Sequence, residues 1–182
     1  EGKDRMTDEE FRQQYGPVAL VTGASSGIGW AFAEELAKRG FDLVLTARRV
    51  DRLEDLAARL AQVHGVRSQV VGADLTELSA PAQILEAAAG SDIGLLVSNA
   101  GFNMKGAFET KSASSLAKLL MVNCHAPMQL AHGFIPRLKA RGKGGIIFTS
   151  SVEGLIGAPY STAYSASKAL VNALGEGLWG EL

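Results

Sequence analysis

The sequence holds one cysteine, Cys124, in 182 residues, so no disulfide can close within it. The fold must rest on a buried core, and the pattern suits a reducing compartment. An excess of charge of one sign is also lacking. The 18 Lys and Arg nearly cancel the 19 Asp and Glu, for a formal net charge of -1. That balance gives no electrostatic footprint for nucleic acid or for an anionic membrane surface. No apolar run approaches the ~20 residues needed to span a bilayer. The first apolar stretch, Val18–Val21, is short and lacks the pattern of a signal peptide. A soluble, cytoplasmic protein is therefore expected. Metal-ligand clustering is absent: His64, His125 and His132 are scattered, and no metal is expected. His125 and His132 are read as packing or interface residues, and Cys124 as a small core residue. There is no tandem repeat, low-complexity tract or Pro/Ser-rich linker. Against these absences stand 47% hydrophobic and 20% charged residues, enough apolar matter for one globular core.

Short β-branched apolar runs alternate with longer amphipathic stretches. Strands are expected at Val18–Thr22, Asp42–Thr46, Ser68–Val71, Ile93–Ser98 and Gly145–Thr149. They lack strict apolar/polar alternation, as strands buried on both faces do. Helical patterns fall at Ile28–Lys38, stopped by Gly40, and at Val50–Val63, with Leu53, Leu56, Leu60 and Val63 at helical spacing. Further helices are expected at Pro81–Ala89, Ser112–Leu138 and Thr162–Trp179. Thr7 and Glu10 form a capping-box pattern, so residues 1–16 read as an N-terminal helical extension. Residues 17–182 read as one dinucleotide-binding domain. The alternation predicts an α/β fold, a doubly wound, Rossmann-like parallel sheet with helices on both faces. In such folds ligands sit beyond the carboxyl ends of the strands.

The first such end reads Thr22-Gly-Ala-Ser-Ser-Gly-Ile-Gly29. Gly23, Gly27 and Gly29 permit a sharp turn and close approach of a ligand. The helix behind offers free amides and partial positive charge to a pyrophosphate, with Ser25 and Ser26 as added donors. A tight turn without ligand is the plain alternative. The spacing is neither G-x-G-x-x-G nor a P-loop. The second end reads Thr46-Ala-Arg-Arg49, with no acid to hold a free ribose 2′-hydroxyl. Arg48 suits a 2′-phosphate, although a solvated arginine pair would look the same.

Further motifs follow in order: Asp74-Leu75, Asn99-Ala100-Gly101, Asn123, Ser150-Ser151 and Tyr164-Ser-Ala-Ser-Lys168. Together with the Thr22–Gly29 turn they resemble the short-chain dehydrogenase/reductase family from about Val18 onward. The resemblance implies an oxidoreductase moving a hydride between NADP(H) and a carbonyl/alcohol pair. It implies Tyr164 as catalytic acid/base, Lys168 as its lysine, Ser151 as the serine on the substrate oxygen and Asn123 as the anchor of a relay water. It places Gly23, Ser25, Ser26, Gly27, Ile28, Gly29, Arg48, Asp74, Leu75, Asn99, Ala100 and Gly101 around the cofactor, with Tyr164 and Lys168. Ala47 stands where NAD-preferring members carry an acid. Members commonly pair through helices matching Ser112–Leu138 and Thr162–Trp179, which implies a homodimer or homotetramer. The leucines at 116, 119, 120, 130 and 174 could serve that pairing or simply face the sheet.

The chemistry of these residues agrees with that reading. Lys168 lies four residues beyond Tyr164, on the same helix face. Its ammonium would favour the phenolate. Ser151 would donate to an oxygen gaining negative charge. Family members usually continue for some tens of residues more, with two further strands and a substrate lid, so the C-terminal strands are expected to lie outside this sequence. Ser98 stands where many members carry asparagine, with little effect expected, and Glu153 is either a pocket residue or a solvated acid. A cofactor-binding sensor or scaffold without turnover is the alternative from another class. A sugar-nucleotide epimerase or dehydratase ranks lower, because those relatives space their glycines differently.

Overall fold

The computed structural model describes residues 6–182. Five strands form one parallel sheet: β1 (Val18–Thr22), β2 (Asp42–Ala47), β3 (Ser68–Gly72), β4 (Ile93–Ser98) and β5 (Gly145–Phe148). Their order across the sheet is β3-β2-β1-β4-β5, and every pairing is parallel. The expected α/β doubly wound architecture is thus what the chain adopts.

The helices are α1 (Asp8–Tyr15), α2 (Gly27–Lys38), α3 (Val50–His64), α4 (Ala80–Ala87), α5 (Ala113–Leu120), α6 (Ala126–Arg141) and α7 (Thr162–Glu181). Side chains alternate along each strand, so each strand feeds two cores. Ala19, Val21, Leu43, Leu45, Leu95 and Val97 face a cluster completed by Leu36 of α2 and Leu53, Leu56 and Leu60 of α3. Leu20, Val44 and Leu96 face the other, completed by Ile84 of α4 and Leu130 and Phe134 of α6. Double burial explains why the central strands show no polar alternation. β3, at one edge, is only half-buried, unlike the expectation of full burial.

Thr7 caps α1 with the complete capping box: its hydroxyl accepts from the Glu10 amide, and its own amide donates to the Glu10 carboxylate at 2.7 Å. Phe11 and Tyr15 carry α1 onto the first cluster, where Phe11 meets Phe41 at 5.7 Å between ring centroids. Residues 1–5 of the expected extension lie outside the described residues.

One expected element takes a different form. Ser112–Leu138 is not one helix; α5 and α6 are joined by a π-helical turn, Met121–His125. Pro127 lacks the amide that would donate to the Asn123 carbonyl in an α-helical register, which favours a break in the ladder here. Of the leucines weighed for pairing, Leu119 and Leu130 are buried, whereas Leu120 is exposed.

Candidate active site

Strand order reverses between β1 and β4. The chain leaves β1 for α2 on one face and leaves β4 for the helices of the other. The connections therefore part, leaving a crevice at the carboxyl ends of these strands. A cavity of about 550 Å³ occupies that place.

The glycine turn after β1 forms its floor. The Gly23 amide donates to the Thr46 carbonyl at 2.8 Å, tying the turn to β2. Gly23 (φ 69°) and Gly27 (φ 58°) take left-handed backbone, where a Cβ is strained. Gly29 faces a different demand: a Cβ there would lie 2.3 Å from the Gly23 carbonyl oxygen. Ser26 stands at the N-cap of α2, yet its side chain makes no capping bond. Its Oγ instead accepts from Arg49 Nη2 at 2.9 Å, and Ser25 Oγ accepts from the same nitrogen at 3.1 Å. The leading amides of α2 are thus left without a side-chain partner, at the positive end of the helix dipole, with no acid in the first turn.

β4 supplies the facing wall. Thr22 Oγ1 accepts from the amides of Asn99 and Ala100, both at 3.0 Å. Asn99 Nδ2 donates to the Thr22 carbonyl at 3.1 Å, and its Oδ1 accepts from Thr149 at 3.2 Å. Thr22, Asn99 and Thr149 thereby lock the ends of β1, β4 and β5 together.

At the mouth beyond β2, Arg48 and Arg49 are exposed and line the cavity. Neither has an ion-pair partner among the described residues. Asp74 follows β3. Two bonds from Thr76, to its Oδ1 at 3.0 and 2.9 Å, hold its carboxyl below the ordinary range, and the Arg48 charge adds to the effect.

The far end of the cavity holds Tyr164 and Lys168, on successive turns of α7. Lys168 is buried, and its Nζ donates to the Thr149 carbonyl at 2.7 Å. The same nitrogen lies 5.7 Å from the centroid of the Tyr164 ring. Burial pushes the Lys168 pKa below the ordinary lysine range. The unfolded chain then binds more protons than the folded one between the lowered and the ordinary values. Stability should rise with pH through that window and fall as pH drops back through the lowered value. Urea midpoints across the alkaline range would check this; Lys168→Met should flatten the rise.

Asn123 sits on the π turn, buried. Its Oδ1 accepts from the Phe102 amide at 3.1 Å, and its Nδ2 donates to the Phe102 carbonyl and to Ser167 Oγ, both at 3.0 Å. A Cβ placed on Gly101 would lie 3.3 Å from both Asn123 Oδ1 and Lys168 Nζ. The two polar groups therefore converge where Gly101 leaves room.

Most of the residues singled out in the sequence gather here. Gly23, Ser25, Ser26, Ile28, Arg48, Asp74, Leu75, Asn99, Ala100, Gly101, Tyr164 and Lys168 line one cavity. Gly27, Gly29 and Asn123 do not line it: the glycines belong to the turn after β1, and Asn123 bonds the Phe102 backbone. Ser151 lies one residue past the lining residue Ser150; its Oγ accepts from the Glu153 amide at 3.2 Å and caps a short 3₁₀ turn, Val152–Gly154. Cys124 is buried, and burial raises its pKa, as suits a packed thiol. Sequence reasoning gave Arg49, Thr22, Thr149 and Thr76 no role. Arg49 was legible only as half of an arginine pair and Thr22 only as the first residue of the glycine turn, and Thr76 and Thr149 carried no signal outside the fold. Among the described residues no cluster of His, Cys, Asp or Glu could hold a metal ion.

A parallel sheet with a glycine-lined crevice at its reversal point is the frame of a dinucleotide-binding protein. The sequence profile of the short chain dehydrogenase family matches residues 17–182, and the chain belongs to that family. Its fold is shared with the bulky-bulky ketone specific alcohol dehydrogenase of Comamonas testosteroni, at 42% identity and a TM-score of 0.87, over 92% of this chain and 68% of that one. A short-chain dehydrogenase from Sphingobium yanoikuyae, solved in complex with NADPH, matches at 40% identity and a TM-score of 0.88, over 92% of this chain and 66% of that one. The human inactive hydroxysteroid dehydrogenase-like protein 1 is 35% identical over 88% of this chain and 49% of its own length. The chain spans between about half and two thirds of the length of the curated relatives it matches.

Proposed function

We propose that this chain carries the cofactor-binding and catalytic core of an NADP(H)-dependent oxidoreductase acting on a carbonyl/alcohol pair. The observation behind it is Lys168: a buried amine held by the Thr149 carbonyl, beside the Tyr164 ring, in the cavity that the glycine turn lines.

The residues present fit a dinucleotide. The uncapped amides of α2, with Ser25 and Ser26, suit a pyrophosphate. Arg48, which has no ion-pair partner among the described residues, supplies a cation beyond β2 for a 2′-phosphate, and the segment joining β2 to α3 carries no acid. Asp74 and Leu75 flank the adenine side, and Asn99–Gly101 the inner wall. When bound, the nicotinamide supplies the hydride. Tyr164 gives its phenol proton to the substrate oxygen in reduction and takes it back in oxidation. The Lys168 cation favours the phenolate left behind, and the Thr149 carbonyl keeps that cation oriented. Asn123 holds the Phe102 backbone and keeps an amide oxygen toward Lys168, where a water could bridge the two. Ser151 donates to the substrate oxygen; for this its hydroxyl hydrogen must point into the cleft, and its acceptance from the Glu153 amide leaves that hydrogen free.

The test is NADPH oxidation with a panel of ketones, aldehydes and ketoacyl substrates, on the intact polypeptide. Turnover of at least one class is expected. NADPH binding with no turnover across the panel would favour a non-catalytic sensor or scaffold, a reading that gains weight from the inactive human relative. For the cofactor, Arg48→Ala is expected to raise the NADPH dissociation constant about ten- to hundredfold, the worth of a charge-assisted bond, and to leave NADH nearly unchanged. Equal effects on both would refute the phosphate assignment. The proposal includes a soluble cytoplasmic setting and homo-oligomers paired through α5, α6 and α7, where Leu120, Met128 and Leu170 are exposed. No helix among the described residues is long and apolar enough to cross a membrane.

A further inference from the structure

Ser167 lies one position before Lys168 on α7 and is buried. A serine inside a helix commonly returns its hydroxyl hydrogen to a carbonyl one turn earlier and does nothing more. Ser167 does this: its Oγ donates to the Tyr164 carbonyl at 2.7 Å. The same oxygen also accepts from Asn123 Nδ2 at 3.0 Å, across 44 positions of sequence. The hydroxyl therefore links the π turn to the helix of Tyr164 and Lys168. Cys124, the next residue of that turn, brings its Sγ to 3.9 Å from the Ser167 carbonyl. Hydroxyl and carbonyl of Ser167 thus both meet the π turn.

The hydrogens of Asn123 show what the link does. Nδ2 has two: one goes to the Phe102 carbonyl and the other to Ser167. Oδ1 accepts from the Phe102 amide. The two Phe102 bonds fix which way the amide faces, but they tie it to the segment after β4. Lys168 belongs to α7. Of the three bonds this side chain makes among the described residues, only the one to Ser167 reaches α7. The consequence appears at Gly101, where Asn123 Oδ1 and Lys168 Nζ each stand 3.3 Å from the place of a Cβ. A hydroxyl donates and accepts at once in little volume, whereas alanine does neither.

We propose that Ser167 is a positioning residue for proton transfer: its hydroxyl spans Asn123 Nδ2 and the Tyr164 carbonyl, and so sets the gap between the Asn123 amide oxygen and the Lys168 amine. Ser167 does not itself line the cavity. The inference rests on the oxidoreductase reading of Tyr164 and Lys168. Proton transfer tolerates little displacement, so loss of this strut acts on rate. The glycine turn and Arg48, assigned to the cofactor, lie elsewhere in the cavity and are untouched.

The experiment uses Ser167→Ala in the intact polypeptide, alone and combined with Asn123→Ala, assayed well below the Tm of each. Ser167→Ala should lower kcat about tenfold, the scale of a small misplacement of reacting groups. KM and the NADPH dissociation constant should stay near wild type; a loosened α7 would raise both. In the Asn123→Ala background the same substitution should have no further effect, because residues that act as one unit are not additive. An unchanged kcat in Ser167→Ala overturns the proposal. So does an equal loss in the Asn123→Ala background, which would mean that Ser167 acts on α7 itself. Deuterium exchange of the Asn123 side-chain amide, read by NMR and assigned with Asn123→Ala, reports the strut without turnover. It should quicken about two- to tenfold in Ser167→Ala, the scale of one neutral hydrogen bond. If the wild type turns over nothing yet this exchange quickens, the oxidoreductase reading fails and the positioning of Asn123 by Ser167 stands. If exchange is unchanged, the proposal fails whatever the activity. Where the alanine variant does not fold, Ser167→Cys, close in size but a weak donor and acceptor, replaces it. Wild-type kcat and exchange in that variant would overturn the proposal.

Discussion

Tyr164→Phe is expected to abolish turnover while leaving NADPH binding intact. The substitution keeps the ring, and with it the packing of α7, and removes one hydroxyl. A positioned acid/base contributes about 10²–10⁴ in rate, so kcat should fall by that factor or more. Lys168 would remain on the Thr149 carbonyl, since that bond does not involve the phenol. NADPH fluorescence titration should therefore give a near-normal dissociation constant, and single-turnover reduction should be lost. Retained turnover in this variant would end the case for Tyr164 as the proton donor.

Gly29→Ala should damage both folding and cofactor binding. The added Cβ would lie 2.3 Å from the Gly23 carbonyl oxygen and 2.6 Å from Asn99 Nδ2. Neither neighbour can yield cheaply. One is backbone of the turn, and the other donates to the Thr22 carbonyl. Overpacking of this kind costs ~1–3 kcal/mol or more, or several degrees of Tm in a chain of this size. Displacing the turn would also move the leading amides of α2 away from any pyrophosphate. Gly27→Ala is the control. Its Cβ would meet nothing within 4 Å, so only backbone strain of about 1–2 kcal/mol is expected. Calorimetry and NADPH titration on the two variants should rank Gly29→Ala as the more harmful. A harmless Gly29→Ala would contradict the close approach of β1, α2 and β4.

The strain at Tyr160 and the crowding at Gly29 arise differently. At Gly29 the residue type answers a contact made 70 positions away, at Asn99. At Tyr160, the sole non-glycine with positive φ (61°) among the described residues, the residue type conflicts with its own backbone, whose carbonyl accepts from the Gly106 amide.

How much of this was legible beforehand follows from which interactions are local. Strand and helix periods, the Thr7–Glu10 capping box and the glycine stop at Gly40 depend on neighbours in sequence, and they were readable there. So was the four-residue step from Tyr164 to Lys168, because it lies within one helix. The π turn at Met121–His125 was hidden, since it combines the missing amide of Pro127 with the pull of Phe102 on Asn123. The Arg49 bonds to Ser25 and Ser26 span more than twenty residues, and the Thr149 carbonyl meets Lys168 across the β5–α7 connection.

The sequence alone determined the class of fold and the chemical types at its strand ends, because hydrophobic periodicity and turn residues act over a few positions. Only the tertiary structure decided which side chains orient which. Whether Lys168 is buried, what frees the α2 amides and why Tyr160 is strained all depend on contacts between segments that the sheet brings together.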